Sequence, residues 1–126
     1  VKPTHVDRAA RDEAIRRKVG ELRVRFPLYR HLAPKCAARD LSVDAMHFYF
    51  SVVIRPLVDM LRIVHCPDRH DFGLRYVRDD LPPALYETVC RLSYPAGPEQ
   101  IAPFTREASL LFADLLAAWD AQQSPS

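Results

Sequence analysis

From Phe48 to His65 the chain is apolar almost without pause, and its few polar positions fall in register. Arg55, Asp59 and Arg62 stand at i, i+4 and i+7, so a helix would carry them on one face. Ser51 and Cys66 extend that face by a turn in each direction. A helix apolar on all sides belongs in a core. Guanidinium groups on such a helix need paired carboxylates or a cleft that admits an anion. Ser42 is the expected N-cap, with Asp44 in the first turn. Pro56 removes the amide that would bond to the Val52 carbonyl, which predicts a kink there. Pro67 stops the helix.

The remaining periodicity is also helical. His5 to Arg25 carries the stripe Ala9, Ala14, Ile15, Val19, Leu22 and Phe26, with the pairs Arg8–Asp12 and Arg17–Glu21 on the solvated face. Pro27 is expected to end it. Residues 28–40 form a connector, with a short helix entered at Pro34. Asp80 and Pro82-Pro83 predict the cap and first turn of a helix running to about Leu92. A turn at 94–98 leads into a last helix from Pro98 or Glu99 to Trp119, with Ile101, Phe104, Ala108, Leu111, Leu115 and Ala118 inward. A frayed tail is expected from Gln122 on. Neither a strand nor an internal repeat stands out. The expectation is an all-α bundle of four or five helices, up-and-down, kinked at Pro56, forming one domain over 1–126 with its core at about 6–120.

Composition adds limits. With 48% hydrophobic and 27% charged residues this is the balance of a globular domain. Only 3 Gly accompany 11 Pro, which favours helices with proline-marked ends over a glycine-turned β-sandwich. A net charge of +2 is too small to argue for nucleic acid, and Phe48, Tyr49 and Phe50 read as core aromatics rather than base-stacking platforms. Cys36, Cys66 and Cys90 are far apart and odd in number, so reduced thiols and a cytoplasmic location are expected. The charged start lacks the apolar region of a signal peptide. Arg55 and Asp59 interrupt the longest apolar run, which argues against a membrane span.

The candidate chemistry lies in and just after the central helix. Arg55, Arg62, His65, Arg69, Arg75 and Tyr76 could line a pocket for a phosphate or carboxylate, since arginine forks suit such anions. The competing reading is structural: Arg55, Asp59 and Arg62 pair in place, and Asp68, Asp71, Asp79 and Asp80 neutralise the rest. His65, Cys66 and His70 point to different sides and suggest no metal site. No GxSxG, P-loop or Cys-His-Asn set is present. Arg25 and His31, spaced Arg-x5-His, resemble the motif of the HEPN helical ribonucleases. Pro27 falls between them, and asparagine, common near that motif, is absent.

The stretch from Ile54 to Arg62, with His65-Cys66-Pro67-Asp68-Arg69-His70-Asp71-Phe72-Gly73-Leu74-Arg75-Tyr76 and Asp80-Leu81-Pro82, resembles the C-terminal helical domain of bacterial nucleotidyltransferases of the minimal, aminoglycoside-type superfamily. The similarity spans about Arg16 to Trp119. It implies a helical module that covers the cleft of a catalytic α/β domain and binds substrate or nucleotide. In that superfamily a Gly-Ser element and paired aspartates hold magnesium for phosphoryl chemistry. This chain has no Gly-Ser followed by Asp-x-Asp. The resemblance therefore implies no catalytic residue and no cofactor here. ATP or another nucleoside triphosphate with magnesium is expected only in the complete assembly, whose catalytic domain is the expected partner on the same longer chain or on a separate subunit. The helix-like start at Val1 suits a piece of a longer protein. The alternative is a protein-interaction or antitoxin-like bundle without a ligand site, for which an apolar groove or a homodimer face is expected.

Overall fold

The computed structural model describes residues 4–123, with side chains from residue 8 onward. It is an all-α bundle, and no strand occurs among the described residues. Its helices are α1 (Thr4–Tyr29), α2 (Leu32–Ala38), α3 (Ser42–Tyr49), α4 (Arg55–His65), α5 (Val77–Asp80), α6 (Pro83–Ser93) and α7 (Ile101–Gln123). A π-helical turn, Phe50–Ile54, joins α3 to α4. Short 3-10 turns at Pro67–Arg69 and Pro98–Gln100 complete the path.

In place of the kink expected at Pro56, the helix path shows a π turn just ahead of that proline. A proline ring in a regular α-helix would meet the carbonyl four residues back. Widening the turn before it relieves that clash and places Pro56 in the first turn of α4, where a missing N–H is tolerated. Most of the apolar run is buried, but of the three aromatics expected in the core only Tyr49 is fully so: Phe48 is half-buried and Phe50, at the start of the π turn, is exposed. Tyr49, Val53, Ile54, Leu57, Val58, Met60, Leu61 and Ile63 are all buried. The α4 helix packs against α7 and α1, and α2 folds back on α3. Phe26 of α1 stacks on Phe112 of α7 with ring centroids 4.0 Å apart. Tyr49 donates its hydroxyl to the Leu92 carbonyl at 2.5 Å, tying the central helix to the end of α6. Burial pushes the Tyr49 phenol well above its usual range.

Several local expectations are corrected. Pro27 does not end the first helix, which continues to Tyr29. So near the C-terminus the proline forfeits a single bond, and the Arg30 amide still reaches the Phe26 carbonyl at 3.0 Å. Arg8–Asp12 and Arg17–Glu21 are not the pairs formed. Arg11 holds both Asp12 and Asp68, and Arg17 approaches Glu13. Ala9 is exposed. Ser42 is the first residue of α3, and Leu41, with no side-chain bond, takes the cap position. Asp80 does not cap α6, whose cap residue is Pro82; its carboxylate is drawn to Arg62 instead. In α7 Phe104, Leu111 and Ala118 are half-buried, while Phe112 and Thr105 take the buried positions. That helix runs past Trp119 to Gln123, and residues 124–126 lie outside the described residues.

Candidate functional site

Arg62 organises the segment after the central helix. It lies on α4 with no exposed surface, the largest fully buried side chain of the described residues. Its Nε donates to the Gly73 carbonyl at 2.8 Å and its Nη2 to the Arg75 carbonyl. Its Nη1 donates to Asp80 Oδ2 at 2.5 Å and approaches the Arg69 carbonyl at 3.5 Å. One guanidinium thus gathers residues 69–80 onto the end of α4, an arrangement that the planar, five-donor fork permits and an ammonium would not. Asp80 also accepts from Arg69 Nε at 2.8 Å. Hydrogen bonds from Arg62 and then Arg69 hold its carboxyl below the usual aspartate range.

The outer side of this clamp is a cationic and aromatic surface. The Phe72 ring has three guanidinium carbons around it, from Arg69 at 4.4 Å, Arg75 at 5.3 Å and Arg62 at 5.8 Å from its centroid. Cation–π attraction adds to the hydrogen bonds that hold these arginines in place. Arg69 also lies 5.3 Å from the Tyr76 ring. Tyr76 is exposed and adopts left-handed backbone, φ 61°. That conformation costs a side chain with a Cβ about 1–2 kcal/mol, and such outliers persist where surrounding structure demands them. Gly73, at φ 66°, supplies a second left-handed residue without that cost. The exposed Arg75 bonds only to the Phe72 carbonyl, at 3.3 Å, and has no carboxylate partner among the described residues.

Arg55 stands two turns earlier on α4 and reaches the same region from the other side. A Cβ added at Gly73 would lie 3.7 Å from its Nη2. Arg55 is exposed and pairs with no carboxylate among the described residues. Its charge is nevertheless felt by Asp59 one turn on. Burial raises the Asp59 carboxyl above its usual range, against the pull of Lys18, whose Nζ is 3.5 Å away. His65, in the last turn of α4, is exposed. The six residues marked in the sequence therefore divide. Arg62 is interior, with its fork occupied by the protein itself. Arg69, Arg75 and Tyr76 share the Phe72 surface, Arg55 borders it through Gly73, and His65 lies at the helix end.

A cleft of about 220 Å³ opens beside Arg55, between α1 and the π turn. Leu22 and Phe26 form its apolar side, and Lys18, Arg25 and Tyr29 come to it from α1. These α1 residues were not singled out as partners of Arg55, because only the fold brings the two helices together. The π turn on its wall is the irregularity that Pro56 hinted at, and such turns often border functional sites. Among the described residues no group of three or more His, Cys, Asp or Glu side chains could hold a metal ion. No described helix is long and apolar enough to cross a membrane. No protein-family model, curated protein or solved structure matches the chain.

Proposed function

We propose that the chain is the helical substrate- or nucleotide-binding module of a nucleotidyltransferase and covers the cleft of a catalytic α/β domain. The observation that supports this most is the surface held out by the Arg62–Asp80 clamp. Arg69, Arg75 and Tyr76 sit around Phe72 with Arg55 at the border, and neither Arg75 nor Arg55 is neutralised by a carboxylate among the described residues. Preorganised guanidinium groups beside aromatic rings suit a phosphate chain and a base. The resemblance of residues 54–82 to the helical domain of the minimal nucleotidyltransferases points the same way. In this reading Arg62 acts indirectly, by fixing the loop, while Arg55, Arg69 and Arg75 meet the triphosphate and His65 lies at the edge. Magnesium belongs to the carboxylates of the catalytic domain, and the assembly works in the cytoplasm.

The test is calorimetry of magnesium-ATP and the other nucleoside triphosphates on the complete assembly. Arg75→Ala should weaken the bound triphosphate by about 1.5–3 kcal/mol, the value of a charged hydrogen bond. Unchanged affinity in both Arg75→Ala and Arg69→Ala would overturn the assignment. One observation favours the second reading, a protein-interaction bundle. Phe50, Ile54, Leu74 and Tyr86 line an apolar groove beside α6, and Tyr94 at its end is 83% exposed. A monodisperse monomer in light scattering, unchanged by Tyr94→Ser, would count against a homodimer there.

A further inference from the structure

We propose that the cleft between α1 and the π turn is a second ligand site, for a small anion that carries a flat apolar group. It does not depend on the nucleotidyltransferase reading. Two guanidinium groups from different helices, Arg25 and Arg55, line one cleft, and neither has a carboxylate partner among the described residues. Arg25 is instead poised over the Tyr29 ring, 5.8 Å from its centroid. The other cation of the cleft, Lys18, is engaged by Asp59 at 3.5 Å. Of the acidic groups in the lining, Asp59 is engaged by Lys18 and feels the charge of Arg55, and Glu21 is exposed at the rim, so among the described residues the cationic side chains of the cleft outnumber the carboxylates. An anion seated between the two arginines relieves their repulsion and takes hydrogen bonds from both forks.

The rest of the lining sets the ligand's body. Leu22 and Phe26 are buried and apolar, Val52 is half-buried on the π turn, and Tyr29 is 38% exposed. A flat ring can lie on that surface with its anionic end at the arginines. The volume of about 220 Å³ lies below the ~300 Å³ where drug-sized pockets begin. One ring with one carboxylate or phosphate fits that size. Ser51 and Val52 of the π turn line the cleft opposite α1, and Ser51 spends its hydroxyl on the His47 carbonyl at 2.6 Å.

The experiment is residue-resolved NMR titration of the chain with benzoate and with phenyl phosphate, using benzyl alcohol as the uncharged control. Saturable shifts are expected at amides 22–29 and 51–59 for both anions, strongest for whichever headgroup the site was built to hold, and absent for the alcohol. Arg25→Ala, on an exposed position that leaves the core intact, should raise the dissociation constant about tenfold or more, and Arg25→Lys should restore part of it. Shifts confined to 69–76 would assign the anion to the Phe72 surface and overturn this site. So would equal binding by Arg25→Ala and the parent chain, or equal binding of benzyl alcohol. Arg55 borders both surfaces, but Arg25 lines only this cleft and Arg75 only the nucleotide surface, so Arg25→Ala and Arg75→Ala let the two readings fail separately.

Discussion

Replacing Arg62 with Ala tests the clamp on which the site geometry depends. The side chain has no exposed surface and serves the carbonyls of Gly73 and Arg75 as well as the Asp80 carboxylate. Truncation removes a buried charged partner, strands carbonyls that water must then reach, and leaves the volume of a long side chain empty under the 69–80 segment. Losing one member of a buried pair costs about 3–5 kcal/mol. That is a large part of the roughly 5–15 kcal/mol that holds a domain of this size folded. Urea unfolding followed by far-ultraviolet circular dichroism is the assay. With a slope of about 2 kcal/mol per molar, the midpoint should fall by roughly 2 M. Because the clamp ties residues 69–80 down, backbone amides there should lose hydrogen-exchange protection before those of α7 do. A loss below about 1 kcal/mol, or unaltered protection over 69–80, would show that the loop holds its shape without Arg62.

Other substitutions probe single contacts. Gly73→Ala finds room, since the added carbon would meet Arg55 only at 3.7 Å, yet it keeps a left-handed backbone; a loss of about 1–2 kcal/mol in chemical unfolding is expected, and no loss would mean the turn adopts another conformation. Tyr49→Phe strands the Leu92 carbonyl and should cost about 1–2 kcal/mol by the same measurement, whereas a neutral result would mean that water already serves that carbonyl. Asp59 has a native carboxyl raised by burial, so its folded form favours the proton more than the unfolded chain does. Its unfavourable contribution at neutral pH is relieved as pH falls through that raised value, and Asp59→Asn should melt no lower than the parent at pH 7, with the difference shrinking toward acid. Asp80 works in the opposite direction: its depressed carboxyl stabilises the fold above the ordinary aspartate range and loses that effect as pH falls toward its native value. A parent whose stability does not decline below pH 4 would contradict the Asp80 assignment.

The helical class and the burial of the central run were legible because an apolar stretch of that length leaves the chain few choices. The charged row was legible too, but its meaning was not. Spacing puts Arg55, Asp59 and Arg62 on one face, yet Arg62 turns to backbone carbonyls and to Asp80, eighteen residues on, while Asp59 turns to Lys18 of α1. Partners chosen across the fold leave no periodic trace. The same holds for Asp80, which resembles a helix cap by its place before two prolines but is taken by a buried cation. The cleft beside Arg55 joins helices about thirty residues apart and depends on a π turn, which shifts the register that an even helical period assumes. Pro27 shows the converse: a strong local signal, overridden because so near a helix end it removes only one bond.

The central proposal stands or falls on what the native polypeptide and its stoichiometric partners contain. Mass-spectrometric sequencing of the assembly purified through these residues addresses that directly. The account predicts a Gly-Ser element followed by Asp-x-Asp, on the same chain or on a subunit present in equal amount, in a segment that binds magnesium-nucleoside triphosphate. A native assembly in which neither this chain nor any stoichiometric partner carries that segment would contradict it.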